Sequence, residues 1–397
     1  MSYAKVLERA CTGERLSSSE IVRLYDAPLN ELQSAAHQAR LRRADPQAVY
    51  YLVGGVIDYT NVCTVACGFC YFYRPKNHPE AKTLSFDEIR QQMEEIRAYG
   101  GTYVLIQGGV NPNLPFSWYT DLLRLLKREF PEIHVAMLSP EEIYGLEQLT
   151  GRSAEALLAE LRNSGLDSLP GASAEILSTR VRKLVSPNRV SVTDWVRIVE
   201  TSLKLGIPSS WVSMVFGLGE TREEKVQHLL ILREIQDRAL EKGYPAKLSA
   251  FKVWPMRLAT TRTAPRVATV GGAVYPINLD QAREVAEPVK NALIQPEEVR
   301  LHYLREVAIA RLALDNIPNH GALWLTMGFE TAAKALRGGA NDMQETGAIN
   351  AVNAAVLAAK GELPKVDENL LAQINQCIRN AGFSPVRRDG LYNQRSA

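Results

Sequence analysis

Cysteine is scarce in this chain: five residues in 397, an odd number. That excludes a disulfide framework as the device that holds the fold together. Charge of one sign is missing too, with 46 basic residues against 44 acidic and a formal net charge of +2. Without a basic block or an acidic tail, the chain lacks the electrostatic footprint of a nucleic-acid partner. It has no run of about 18 apolar residues, which excludes a hydrophobic membrane-spanning helix. Its first residues, Met1-Ser-Tyr-Ala-Lys5, lack the charged segment and apolar core of a secretory signal. A reducing cytoplasm is the expected location, with no nucleic-acid or membrane partner. What is present is apolar: 46% of residues are hydrophobic. A chain of this size can bury a large core, as one large domain with additions or as two.

The few cysteines are not scattered. Three of the five fall within eight residues, Cys63-Thr-Val-Ala-Cys67-Gly-Phe-Cys70. Thiolates are soft ligands, and clustered ones select zinc or iron–sulfur clusters. Structural zinc wants four protein ligands and usually draws them in pairs. Here the count stops at three, which suits a cubane [4Fe–4S] cluster with one iron left open for a small molecule. The competing readings are three thiols packed as small hydrophobes, or a three-cysteine zinc site completed by a distant histidine. Cys11 and Cys377 stand alone and read as structural.

Residues 1–48 read as a helical preface, with Ser17-Ser-Ser-Glu20 as a capping box. From residue 49 to about 345, short apolar runs alternate with amphipathic stretches. That alternation predicts βα units on a parallel sheet. Strands are expected at 51–57, 102–107, 133–138, 167–169, 210–216 and 247–253, with two more possible at 321–326 and 340–343. The segment 254–275 reads as a long loop, and 346–397 as a helical C-terminal region. The expected fold is α/β: a TIM-type (β/α) barrel, full or nearly full, with an N-terminal helical preface and C-terminal helices. Working residues in such barrels sit at the C-terminal ends of the strands.

The Cys-x3-Cys-x2-Cys spacing, followed by Tyr71 and Phe72, resembles the signature of the radical S-adenosylmethionine (SAM) superfamily. The resemblance implies a [4Fe–4S] cluster on Cys63, Cys67 and Cys70. SAM would bind the open iron and be cleaved, on reduction, to methionine and a 5′-deoxyadenosyl radical. A reductant such as flavodoxin or ferredoxin is the implied partner. Later strand ends carry motifs in the order the superfamily uses. Gln107-Gly108-Gly109 resembles the turn that receives the SAM amino group. Glu175 with Arg180 or Arg182 resembles the polar set that meets the ribose and carboxylate, and Ser139 joins them from the third strand. Gly217-Leu-Gly219-Glu220 resembles the motif near the adenine, against which Tyr71 would pack.

Longer phrases narrow the resemblance to one subgroup, over about residues 5 to 345. They include Asp58-Tyr-Thr-Asn61-Val-Cys63, Cys70-Tyr-Phe-Tyr73-Arg74, Gln107-Gly-Gly-Val-Asn-Pro112, Ser139-Pro-Glu-Glu142 and Leu314-Asp-Asn-Ile-Pro318. The subgroup contains the futalosine-pathway synthases of menaquinone biosynthesis. It also contains the deazaflavin synthase subunit that joins tyrosine to a ribitylaminouracil. The phrases around Arg74 and Pro318 favour a futalosine cyclase; Pro170-Gly-Ala-Ser-Ala-Glu175 leans toward the deazaflavin enzyme. The implied reaction is hydrogen abstraction followed by C–C bond formation on an aromatic, nucleoside-like small molecule. The chain departs from the subgroup at Gln344-Glu345-Thr346-Gly347 and at 251–257, so a relative acting on another such molecule is an alternative. A non-catalytic iron–sulfur protein is the reading from another class.

Such a reaction needs an anchor for the substrate and a base. Substrate-binding candidates are Asn61, Arg74, Arg257, Arg262 and Asn341, the arginines because a guanidinium matches a carboxylate bidentately. Base candidates are Asp342, Glu345, His320 and Tyr303, with Asp342 preferred for its place at an expected strand end. His134 and His228 read as packing residues.

Overall fold

In the computed structural model, residues 2–70, 72–256, 267–270, 273–276, 297–345 and 367–394 are described. The chain opens with helices α1 (Tyr3–Thr12), α2 (Ser18–Arg23) and α3 (Leu29–Arg43). It then enters strand β1 (Ala48–Leu52), which runs through Val53 into β2 (Gly54–Asp58). The βα units follow in order: α4 (Phe86–Ala98), β3 (Tyr103–Gln107), α5 (Phe116–Glu129), β4 (His134–Met137), α6 (Pro140–Thr150), α7 (Ala154–Ser164), β5 (Leu169–Gly171), α8 (Thr179–Val185), α9 (Val192–Lys204), β6 (Ser209–Phe216), α10 (Arg222–Glu241) and β7 (Ala250–Pro255). The segment expected as a long loop instead holds an antiparallel pair, β8 (Val267–Val270) and β9 (Ala273–Pro276). After it come α11 (Glu297–Ala313), β10 (Asn319–His320), α12 (Trp324–Arg337), β11 (Asp342–Glu345), α13 (Glu368–Asn380) and β12 (Ser384–Arg388).

The parallel strands close on themselves. Ladders join β2 to β3 to β4, and β5 to β6 to β7 to β10. A single bridge, Ala136↔Ser168, links β4 to the entry of β5, and another, Gly321↔Asp342, links β10 to β11. β11 pairs with β1, and β1 continues into β2, so the ring of strands is a TIM-type barrel. Side chains alternate across each strand. Val212, Met214, Phe251 and Val253 face the helices, packed with Leu229, Val307 and Trp195. Leu52, Tyr103, Leu105, Ala136, Trp211 and Ala250 form a separate cluster in the barrel interior. Helix starts are written locally: Ser85 with Glu88, Ser139 with Glu142 and Thr221 with Glu224 form capping boxes. Among the described residues no helix is long and apolar enough to cross a membrane.

The N-terminal helices lie on the outer helical layer. Tyr25 donates its hydroxyl to the buried Glu306 carboxylate of α11 at 2.7 Å, and Lys225 pairs with the same group. Arg15 reaches Asp237 at 2.6 Å and Asp315 at 2.9 Å.

Two expectations are corrected at the C-terminal end. The strand looked for at 321–326 is only Asn319–His320, because Trp324 already begins α12. The region expected to be wholly helical contains β12, which pairs in parallel along β1 from Ala48↔Ser384 to Leu52↔Arg388. Ser384-Pro-Val-Arg-Arg388 has no strand alternation of its own; the free edge of β1 makes it a strand. Residues 346–366 of the region expected to be helical and the anchor candidates Arg257 and Arg262 lie outside the described residues.

β12 also decides the fate of Asp342. Arg388 donates to Asp342 Oδ2 from Nε at 2.9 Å and from Nη2 at 2.6 Å, and the Tyr392 hydroxyl donates to the same oxygen. Oδ1 accepts the Gln344 backbone N–H at 2.6 Å. Asp342 is 2% exposed and Arg388 4%, so the pair is sealed from water. Replacing Asp342 by Ala removes the carboxylate facing a buried guanidinium. This should cost about 3–5 kcal/mol in denaturant unfolding. Adding Arg388→Met should recover part of that loss, and equal stability of Asp342→Ala and the parent would contradict the assignment.

Candidate active site

β2 ends at Asp58, and the next residues cross the C-terminal rim of the barrel as the cysteine loop. The loop is held mostly by backbone. Arg74 N–H donates to Asn61 O at 2.8 Å, Cys63 N–H to Arg74 O at 3.2 Å and Cys70 N–H to Cys67 O at 3.0 Å. It is tied to the barrel by Thr64 N–H to Val110 O at 3.0 Å and Gly68 N–H to Val185 O at 2.9 Å. Ser186 Oγ donates to Cys67 Sγ at 3.0 Å. The rim gives way where β3 ends. A Cβ at Gly108 would stand 2.5 Å from the Tyr59 ring, and one at Gly109 would meet Val62 O and stand 2.5 Å from Cys63 Cβ. Only glycine lets the two segments approach this closely.

All three thiols open on one cavity. Its walls include Asp58, Asn61, Gln107, Gly108, Gly109, Ser139, Glu141, Glu142, Pro170, Ala172, Glu175 and Arg189. The space between them is about 890 Å³ with its solvent-open part included. Burial pushes each thiol up, Cys70 to about 11, so ligation here must displace protons. Among the described residues no three thiol, imidazole or carboxylate groups converge on a single ion. Three soft donors lining one cavity have the chemistry an iron–sulfur cluster needs.

Beside the thiols lies an ionic set of which the sequence analysis singled out only Glu175, and not Arg189 as its partner. Arg189 is buried between Glu175, at 2.9 Å, and Glu141, at 3.3 Å, with its guanidinium 5.3 Å over the Phe69 ring. Glu141 also accepts the Val190 N–H at 3.0 Å. Glu175 sits at φ 34°, in the left-handed region, and its Oε2 is buried without a hydrogen-bond partner. An unfilled acceptor in the cavity wall suits a ligand that brings an amine or hydroxyl donor. The helix after Glu175 ends before Arg189, which follows Ser186-Pro-Asn188. Arg189 lies 14 positions beyond Glu175, past a turn, with no local pattern that ties the two together.

The other anticipated residues divide. Asn61, Gln107, Gly108, Gly109, Ser139 and Glu175 line the cavity. Gln107 donates to Asp58 Oδ1 at 2.9 Å, and Asn61 braces its own loop through Glu80 O and the Lys82 N–H. Arg74 is spent on Glu80 at 2.7 Å and on the carbonyls of Phe72 and Tyr73, so it shapes the loop. Arg180 lies on the exposed side of α8, paired with Glu224 at 2.6 Å. Arg182 is buried, donating to the carbonyls of Ser173, Ala174 and Val190. Neither arginine lines the cavity.

Gly217 and Gly219 shape the turn after β6, where Glu220 accepts the N–H groups of Gly217 and Leu218. Tyr71 lies outside the described residues, and Glu345 ends β11. The remaining base and anchor candidates, His320, Tyr303, Asn341 and Asp342, do not line the cavity. His320 is fully buried against Phe251, and burial pushes its pKa well down. Tyr303 accepts the Leu323 N–H at 2.7 Å in the core, and Asn341 accepts from Arg311 at 2.7 Å. Asp342 is held by Arg388. His134 and His228 are packing residues: the first stacks on Tyr103 and the second accepts the Leu177 N–H at 3.0 Å.

Glu142 caps its helix from inside the cavity wall. It accepts from Ser139 N–H and Oγ and from the Tyr59 hydroxyl, all at 2.7 Å. Burial outweighs these bonds and raises its carboxyl to about 7, against an ordinary 4.5. The folded state therefore binds a proton more tightly than the unfolded chain. The stability this group contributes is full below pH 4.5 and is lost as pH rises through about 7. Glu142→Gln should thus lose less stability relative to the parent at pH 8 than at pH 4.5. The gap should change by on the order of 3 kcal/mol in parallel denaturation curves; a pH-independent gap would refute the shift.

The family model described as the radical SAM superfamily matches residues 57–231, and the one described as the CofH/MqnC C-terminal region matches 280–397. The chain is 34% identical over 393 residues to the cyclic dehypoxanthine futalosine synthase of Halalkalibacterium halodurans, covering 99% of this chain and 95% of that one. It is 30% identical over 350 residues to the 5-amino-6-(D-ribitylamino)uracil–L-tyrosine 4-hydroxyphenyl transferase of Microcystis aeruginosa, covering 86% of each. Among solved structures, methylornithine synthase superposes with a TM-score of 0.66 at 16% identity, covering 96% of this chain and 97% of that one. The FeFe-hydrogenase maturase HydG from Carboxydothermus hydrogenoformans does so at 0.64 and 16%, covering 98% and 80%. At that identity the likeness concerns the fold alone. The chain is a radical SAM enzyme that works with a [4Fe–4S] cluster and SAM, and it belongs to the radical SAM superfamily, in the group that carries the CofH/MqnC C-terminal region.

Proposed function

We propose that the chain catalyses a radical cyclisation of the dehypoxanthine futalosine cyclase type, forming a C–C bond within an aromatic, nucleoside-like substrate of menaquinone biosynthesis. The observation that carries this is the end-to-end similarity to the Halalkalibacterium synthase, over 99% of this chain and 95% of that one. The tyrosine-coupling reaction named for the Microcystis relative is the second reading, supported by 30% identity over 350 residues.

In this proposal Cys63, Cys67 and Cys70 would hold the cluster, with SAM bound beside it in the same cavity. When bound and reduced, the pair supplies a 5′-deoxyadenosyl radical that takes a hydrogen atom from the substrate. The chain supplies position and electrostatics. Gln107 and the backbone of Gly108 and Gly109 form the cavity wall nearest the thiols and receive the SAM amino group. Glu175 Oε2 accepts a donor of the same molecule, and Arg189 holds Glu175 and Glu141 in place through its ion pairs with both. The substrate enters from the open side of the cavity and rests on Asp58, Pro170 and Ala172. A flavodoxin- or ferredoxin-type reductant and a cytoplasmic setting complete the proposal.

Anaerobic reconstitution followed by assays for 5′-deoxyadenosine tests the class. Dehypoxanthine futalosine, or tyrosine with the ribitylaminouracil, then tests the substrate. Turnover of the second pair but not the first would replace the first reading by the second. Cys67→Ala should keep a folded barrel by circular dichroism yet lose the cluster's visible absorbance and SAM cleavage; full iron content in that variant would sink the ligand assignment. Arg189→Met should raise the KM for SAM about 10–100-fold with iron content retained. Arg189→Lys should recover part of that, since it keeps the charge without the fork. A KM unmoved in both would remove Arg189 from the site.

A further inference from the structure

The chain leaves α8 at Ser186, because Pro187 follows and the residue before a proline is driven out of helical backbone. Ser186 has φ −161°, extended backbone that any residue adopts. It is held on both sides: its N–H donates to Arg182 O at 2.8 Å, and its carbonyl accepts the Arg189 N–H at 3.1 Å. The preceding carbonyl, Val185 O, accepts the Gly68 N–H of the cysteine loop at 2.9 Å. Backbone alone therefore docks this segment on the loop, and the Ser186 hydroxyl is left for another partner.

That partner is a sulfur. Ser186 is 1% exposed, and its Oγ donates to Cys67 Sγ at 3.0 Å. Among the described residues this is the only side-chain hydrogen bond that any of the three thiols accepts; Cys63 Sγ accepts the Val65 backbone N–H at 3.4 Å. The nearby cation, Arg189, lies between two carboxylates that offset its charge. Ser186 does not line the cavity, so a group that fills the cavity leaves its bond to Cys67 in place.

A buried hydroxyl has one proton to give. Directed at a ligand sulfur, it has an electrostatic consequence. An electron added to an iron–sulfur cluster makes the ligating sulfurs more negative. A donor aimed at one of them then stabilises the reduced state more than the oxidised one. We propose that the Ser186 hydroxyl acts through Cys67 to make the cluster easier to reduce, and so sets the potential at which the enzyme accepts its electron. The step concerned is transfer of one electron from a flavodoxin- or ferredoxin-type reductant to the oxidised cluster, with no bond or proton changing place. The inference rests on Cys67 as a cluster ligand and is independent of the substrate. Ser186 lies outside the cavity and is a positioning residue, not a catalytic one.

The test is a potentiometric titration of the full-length, anaerobically reconstituted chain, read by electron paramagnetic resonance of the reduced cluster without SAM or substrate. Ser186→Ala loses the donor, and Ser186→Thr keeps it. At a poise near the parent's midpoint, Ser186→Ala should lower the reduced-to-oxidised ratio about three- to ten-fold, a midpoint about 30–60 mV more negative for a one-electron couple. Ser186→Thr should titrate like the parent, and iron content should be equal in all three. Ser186→Gly, compatible with the extended backbone, repeats the loss of the donor if Ser186→Ala does not assemble.

A midpoint unmoved by loss of the hydroxyl, at equal iron content, would overturn the proposal, as would a Ser186→Thr midpoint as low as that of Ser186→Ala. Loss of the cluster in both Ser186→Ala and Ser186→Gly, with the cluster kept in Ser186→Thr, would make the hydroxyl a structural member and overturn it too. Because the titration needs no substrate, an unmoved midpoint would leave the proposed cyclisation standing, and failure of the cyclisation would leave a shifted midpoint standing.

Discussion

A loop bearing three thiols can lie flat across the mouth of this barrel only because β3 ends in two residues without side chains. Any Cβ at Gly109 would stand in the backbone of Val62 and against Cys63. That close approach lets Thr64 bond to Val110 and fixes where the thiols point. With the loop seated, the three sulfurs, the Glu175 acceptor and the Ser139–Glu142 cap all face the same space. The site is a consequence of packing at one rim position, and the barrel below it provides the rigidity.

Electrostatics then sorts the rim. Arg189 lies between Glu141 and Glu175, so burial of one cation is offset by two carboxylates. Breaking such a set costs more than making it gains, because each remaining charge would be buried alone. Arg182, a few residues earlier, is equally buried but spends its donors on backbone carbonyls. Two arginines of one short segment thus do different jobs: one supports the loop and the other faces the cavity.

The lower barrel is closed by the end of the chain. β12 lies along β1, and the Arg388–Asp342 pair with Tyr392 fills the interior beneath the cluster of Leu52, Tyr103 and Trp211. A carboxylate held this way by a guanidinium and a phenol is a structural member, although its place at a strand made it the natural choice for a base. The interior is therefore layered, with apolar packing between a polar floor and the thiol-bearing mouth.

What the chain's order of residues settled was local. The thiol spacing, the capping boxes, the strand rhythm and the glycine pair after β3 lie within a few positions of one another, and elementary stereochemistry reads them. The fold class followed from those signals, while Asn61, Gln107, Ser139 and Glu175, which line the cavity, were singled out by the family resemblance. What folding alone decided were partners far apart in the chain: Asp342 with Arg388, 46 residues on, Arg189 with Glu141, and Trp211 with Lys252. An ionisable or amide side chain looks the same in a sequence whether it meets a ligand, a backbone carbonyl or a counter-charge. Only closure of the barrel, which brings distant strands side by side, determines which of the three it meets.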